Sequence, residues 1–258
     1  DPRRPVEGYA EVLAERPREP EAVAGLERLL KRPDAREGAA RLLEDVLRTA
    51  GDAGRLAALL EVRLEGADEA ERAPLLAEIA ALHERLGDRR RAFEARVREL
   101  ADAARAGRDA PAARADLERL AAATGAWAEL AEALRVALAA GLPARAALEA
   151  RRRLAAVCAD RLGDLAEAAR QYEEVAAAAP SPETLGALAR VYRRTGAHRE
   201  LAVTLSRLAE VAPAAAARKE LLLEVAKIMA EQLSDREGAV DAYRKILAVD
   251  PEDPQALR

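Results

Sequence analysis

Few side chains in this sequence are equipped for chemistry. His83, His198 and the single cysteine, Cys158, are the candidates for a nucleophile, a general acid–base or a soft metal ligand. Each role needs a partner at fixed spacing, and no local pattern supplies one. There is no Gly-rich phosphate loop, no Walker pattern and no His-Glu-x-x-His pair. One cysteine excludes both an intrachain disulfide and a cysteine-cluster metal site. Acidic pairs such as Glu173–Glu174 offer carboxylates, but they read as part of a solvated helix face with i,i+4 partners. No catalytic, cofactor-binding or metal-binding residue emerges, so the chain is expected to be neither an enzyme nor a cofactor carrier.

The elements that would position such groups are set by composition. Half of the 258 residues are hydrophobic but only 2% are aromatic, so Ala and Leu must supply most of the buried surface. Small and unbranched side chains suit helices packed side by side. Charged residues make up 34%, with both signs interspersed and a net charge of −4, which argues against a nucleic-acid partner. No apolar run approaches the ~20 residues that span a bilayer, so membrane insertion is not expected. A targeting segment is also absent from this chain, which begins at Asp1, and a cytoplasmic location is the resulting expectation. Arg far outnumbers Lys and Asn is missing altogether, a bias typical of GC-rich bacterial genomes.

Alternating strand-like patterns are absent, while Leu/Ala spacings of three and four recur throughout. Gly, Asp and Pro punctuate them regularly. The pattern predicts about fourteen helices, beginning near residues 3, 20, 35, 53, 69, 89, 110, 126, 144, 165, 182, 198, 215 and 236. Residues 252–258 resemble the first turn of one more helix, cut short. The segment 1–51 is irregular. It reads as two short helices around Pro33, one more than the hairpin rhythm needs, with Asp34 and Glu37 resembling a capping box, and should disturb the packing locally.

Two frames repeat along the chain. From Asp164 and Asp235, an Ala follows at four residues (Ala168, Ala239), a Tyr at eight (Tyr172, Tyr243) and a Pro at sixteen (Pro180, Pro251). Asp1 shares Tyr9 and Pro17 but has Pro5 in place of the Ala, while Asp88 keeps Ala92 and has Arg96 in place of the aromatic. Halfway between, Gly51, Gly125 and Gly196 precede Leu56, Leu130 and Leu201 by five residues. Together the frames define a helical hairpin of roughly 34 to 38 residues. Ala168 and Tyr172 share one helix face. The Ala admits the neighbouring helix and the Tyr fills the gap beside it. Asp164 and Asp235 should cap their helices, Gly163 should permit the turn, and Pro180, Pro213 and Pro251 should close each hairpin. His83, Cys158 and Met229 occupy one repeated inward slot, which makes them packing residues. His198 shares its frame with Trp127 and Ala53, and Trp127 should be partly buried between hairpins.

This hairpin resembles the tetratricopeptide repeat. The match is good for 144–251, degenerate for 52–143 and blurred for 1–51. The resemblance implies one all-α, right-handed solenoid over 1–258, whose first helices line a concave surface that receives peptides or protein partners. By position, the outward residues of those first helices are Arg119, Arg152, Arg153, Arg190, Arg193, Arg194 and Lys227. They form a basic stripe suited to an acidic peptide. The expected function is a non-catalytic protein-interaction scaffold or adaptor segment of a longer protein. The alternative is a substrate-recruiting arm whose catalytic domain lies outside the segment. Chaperone-tail recognition through an asparagine clamp is not expected, since Asn is absent. Neither end of the chain shows a polar capping helix, so covering sequence or self-association through the ends is expected.

Overall fold

The computed structural model describes residues 4–16 and 19–256. It divides into two compact units, Asp1–Pro143 and Ala144–Arg258. Among the described residues there are fourteen α-helices and no strand. The first unit contains α1 (Arg4–Glu15), α2 (Pro20–Leu29), α3 (Arg36–Ala50), α4 (Ala53–Gly66), α5 (Glu69–Arg85), α6 (Arg89–Arg105), α7 (Pro111–Thr124) and α8 (Trp127–Ala140). The second contains α9 (Ala144–Val157), α10 (Leu165–Ala178), α11 (Pro182–Thr195), α12 (His198–Val211), α13 (Ala215–Lys227) and α14 (Arg236–Val249). Within each unit, successive helices pack as antiparallel hairpins.

The helices begin where the turn residues dictate. Asp164 accepts the Glu167 N–H at 3.0 Å, and Asp235 accepts that of Gly238 at 2.9 Å. Asp52, Asp68 and Asp88 cap α4, α5 and α6 in the same way. Each such cap is worth about 1 kcal/mol. Pro180, Pro213 and Pro251 follow shortly after the last residues of α10, α12 and α14. Asp1 and Pro17 of the first frame lie outside the described residues.

Two expectations for the N-terminal segment need correcting. The helix after Pro33 is not short, since α3 has 15 residues against 10 for α2. The capping box of Asp34 and Glu37 also does not form, because the N-cap is Ala35 and makes no side-chain bond. Arg32 takes the Asp34 carboxylate instead, donating from Nε at 3.3 Å and Nη2 at 2.7 Å, and Glu37 pairs with Arg41. The guanidinium two residues away takes the carboxylate through two charge-assisted bonds. It also holds the Asp34 carboxyl below the ordinary carboxylate range.

α9 and α13 each run on into a π-helical turn, Cys158–Leu162 and Ile228–Gln232. Both close alike. The Asp164 N–H reaches the Cys158 carbonyl at 2.9 Å, and the Asp235 N–H reaches that of Met229 at 2.8 Å. The residue before each aspartate is left-handed, Gly163 at φ 72° and Ser234 at φ 54°.

Small residues set the helix spacing. Ala168, Ala176, Ala189 and Ala202 are fully buried in the second unit, with Tyr172 and Tyr192 buried beside them. In the first unit Leu26, Leu60, Leu76 and Ile79 are fully buried in a continuous core. A Cβ on Gly25 would lie 2.2 Å from the Tyr9 ring, so any larger residue there would displace that ring. Arg96, which stands in the tyrosine position of its frame, is nearly buried. It bonds Glu99 at 2.6 Å and Asp116 of α7 at 2.7 Å.

Candidate protein-interaction face

The residues of the expected basic stripe fall in both units, Arg119 in the first and the other six in the second. All seven sit on α7, α9, α11 and α13, the first helices of their hairpins. Their surroundings differ sharply. Arg119 is exposed, yet both Nη atoms contact the Glu84 carboxylate at 2.8 Å, and Nη2 also bonds Asp116 at 2.9 Å. These two carboxylates raise its already high pKa further. On α11, Arg193 grips Glu224 of α13 through Nε at 2.9 Å and Nη2 at 2.8 Å. Arg194 donates to the Ala159 carbonyl in the π-helical turn that follows α9, at 2.8 Å.

The remaining four stand differently. Arg152 and Arg153, expected to point outward, are half-buried on α9. The Arg152 Nε is buried without a hydrogen-bond partner among the described residues. Its charge also helps hold Glu183 below its ordinary carboxylate range, after that residue's own backbone bond and the Ser181 hydroxyl. Arg190 and Lys227 are exposed, and neither makes an ion pair with a described carboxylate. Arg190 and Arg194 both reach solvent from α11, one turn apart.

Sequence reasoning missed the carboxylates that answer these arginines. Glu84 precedes Arg119 by 35 residues, and Glu224 follows Arg193 by 31. Arg48 of α3 likewise meets Glu78 of α5, 30 residues on. The second helices show the same arrangement, with Arg98 of α6 on Glu61 of α4 and Arg90 of α6 on Glu129 of α8. Opposite charges about one hairpin apart are the signal that would have found them. Exposed pairs of this kind are each worth about 0–1 kcal/mol.

The groups with nucleophilic or ligating chemistry lie within the packing. Cys158 is fully buried, His83 is 8% exposed, and His198 is half-buried at the start of α12. Trp127 is also half-buried, as its place beside a turn glycine suggests. No group of three or more His, Cys, Asp or Glu among the described residues could hold a metal ion. No helix among them is long and apolar enough to cross a membrane.

No protein-family model and no curated protein matches the sequence. Several solved structures are similar to it. The Naa15/Naa10 complex bound to HypK-THB is 15% identical, with a TM-score of 0.50, and the match covers 99% of this chain and 38% of that one. The C-terminal part of a TPR repeat-containing protein from Cytophaga hutchinsonii is 14% identical with a TM-score of 0.44, covering 96% and 97%. YrrB, a TPR protein, is 16% identical with a TM-score of 0.44, covering 77% and 95%. The chain has a tetratricopeptide-like fold of stacked helical hairpins.

Proposed function

We propose that this chain is a non-catalytic protein-interaction scaffold that receives an acidic peptide or protein segment on the first-helix face of its second unit. One contrast supports this reading. Arg193 is occupied by Glu224, whereas Arg190 and Lys227 stand exposed on α11 and α13 with no carboxylate among the described residues paired to them. An acidic partner supplies the missing counter-charges, and Arg194 and the half-buried Arg152 extend the same face. Such contacts are charge-assisted and steer association, so binding should weaken as salt rises.

A labelled oligoglutamate peptide tests the proposal by fluorescence anisotropy. The wild-type chain should bind it, and Arg190→Glu combined with Lys227→Glu should abolish binding while leaving helicity unchanged. Equal binding by the double variant would remove this face from the function. The complex of Naa15/Naa10 with HypK-THB is one protein assembly built on a similar fold.

A further inference from the structure

A second candidate site lies in the first unit, on the side formed by second helices. A groove of about 420 Å³ runs between α4 and α6, over the last turn of α5. Its size falls within the range of small-molecule sites. Its floor is dug by residues with almost no side chain, Gly54, Ala57 and Ala58 from α4 and Ala95 from α6. Gly54, Ala57, Ala58 and Glu61 follow helical i, i+3, i+4, i+7 spacing, as do Arg91, Glu94, Ala95 and Arg98 opposite. The two helices thus present matched faces, bare in the middle and charged at the rims.

Most of the rim charge is already answered. Arg98 holds both oxygens of Glu61 at 2.9 Å, and Arg90 holds Glu94 at 2.9 Å. Two groups are left over. Arg91 makes a long ion pair with Asp88, at 3.6 Å and beyond hydrogen-bonding distance, and no other described carboxylate pairs with it. His83 lines the groove, more than nine-tenths buried, and its Nδ1 has no hydrogen-bond partner among the described residues. A buried imidazole nitrogen without a partner is costly, and packing alone does not call for one. Cys158 and Met229 fill the same repeated slot with groups that make no such demand.

We infer that this groove binds a small organic monocarboxylate. The apolar body lies on the glycine and alanine floor, and the carboxylate meets Arg91 with His83 beside it. A metal is not the occupant, since Glu61 and Glu94 are taken by arginines and form no ligand cluster with His83.

The chain has only two histidines, so imidazole NMR resonances report the site directly, with His198 as internal reference. Benzoate is the probe, and benzamide is the neutral control of the same shape. Benzoate should shift the His83 resonance saturably in the millimolar range and leave His198 unmoved, while benzamide binds about tenfold more weakly. Arg91→Ala should weaken benzoate by about tenfold as well. Ala58→Trp, at an exposed position on the groove, should abolish the response by filling the space. Arg91 is exposed, so its variant should keep the wild-type fold, which circular dichroism checks. Three results would each overturn the inference: no saturable His83 shift, an equal response to benzamide, or undiminished benzoate binding in Arg91→Ala.

Discussion

Arg96 offers a quantitative test of how the hairpins pack. In the frames beginning at Asp164 and Asp235, the positions eight and eleven residues on hold Tyr172 with Val175 and Tyr243 with Ile246. Val175 and Ile246 are fully buried. In the frame beginning at Asp88 the same positions hold Arg96 and Glu99, whose side chains are 12% and 11% exposed and joined at 2.6 Å. An ion pair therefore stands where those two frames place an aromatic and an aliphatic. Arg96→Tyr alone strands the Glu99 carboxylate in the packing. Breaking a buried pair costs about 3–5 kcal/mol, and the residual exposure here puts the loss near the lower end, about 3 kcal/mol. Glu99→Val alone should cost about 1 kcal/mol, because Arg96 keeps Asp116 at 2.7 Å. The double variant restores the apolar combination, and Asp116 retains Arg119 at 2.9 Å. It should therefore fall within about 1 kcal/mol of wild type or exceed it. Trp127 is the only tryptophan and lies in the first unit, so urea denaturation followed by its fluorescence reports the relevant transition. A harmless Arg96→Tyr, or a double variant as weak as that single one, would refute the reasoning.

Two further predictions rest on local chemistry. Ser234 holds a left-handed backbone at φ 54° in the position Gly163 fills elsewhere. Ser234→Gly should therefore stabilise the second unit by about 0.5–1 kcal/mol, net of the entropy glycine adds to the unfolded chain, as read by thermal denaturation. Burial, reinforced by the hydrogen bond to Glu173, raises the Tyr192 phenol above its ordinary 10.0. Above pH 10 the unfolded phenol loses its proton first, so stability should fall as pH rises into the alkaline range. Tyr192→Phe should show a shallower alkaline decline, and an unchanged slope between pH 9 and 11 (roughly, around the reference value) would remove this contribution.

Much of the fold was legible because its determinants are local. Leu/Ala spacing, aspartate caps and turn glycines act within a few residues, and the helix starts follow from them to within one residue. The exceptions show where such reading runs out. Asp34 looked like a cap, but its carboxylate pairs with Arg32 instead. The π-helical turns after α9 and α13 are built from ordinary helix formers, so only the long reach of the Asp164 and Asp235 N–H groups reveals them. The basic stripe was visible as a set of arginines. Its partial neutralisation was not, because Glu84 and Glu224 lie about one hairpin away from Arg119 and Arg193. Arg152 and Arg153 were expected outward and are half-buried, because residue spacing alone does not fix how far a side chain is covered. The groove over His83 could not be read from sequence, since it depends on two small-residue faces meeting across α4 and α6.

Both faces exist only if the hairpins stack in the register set by their buried alanines. The most direct test compares two substitutions on α10 by urea denaturation and circular dichroism. Ala168 has no exposed surface, and Ala168→Phe should cost about 1–3 kcal/mol or more through overpacking. Ala166 is exposed on the same helix, and Ala166→Phe should change stability by less than about 0.5 kcal/mol. Equal losses at the two positions, or a wild-type midpoint for Ala168→Phe, would contradict the register.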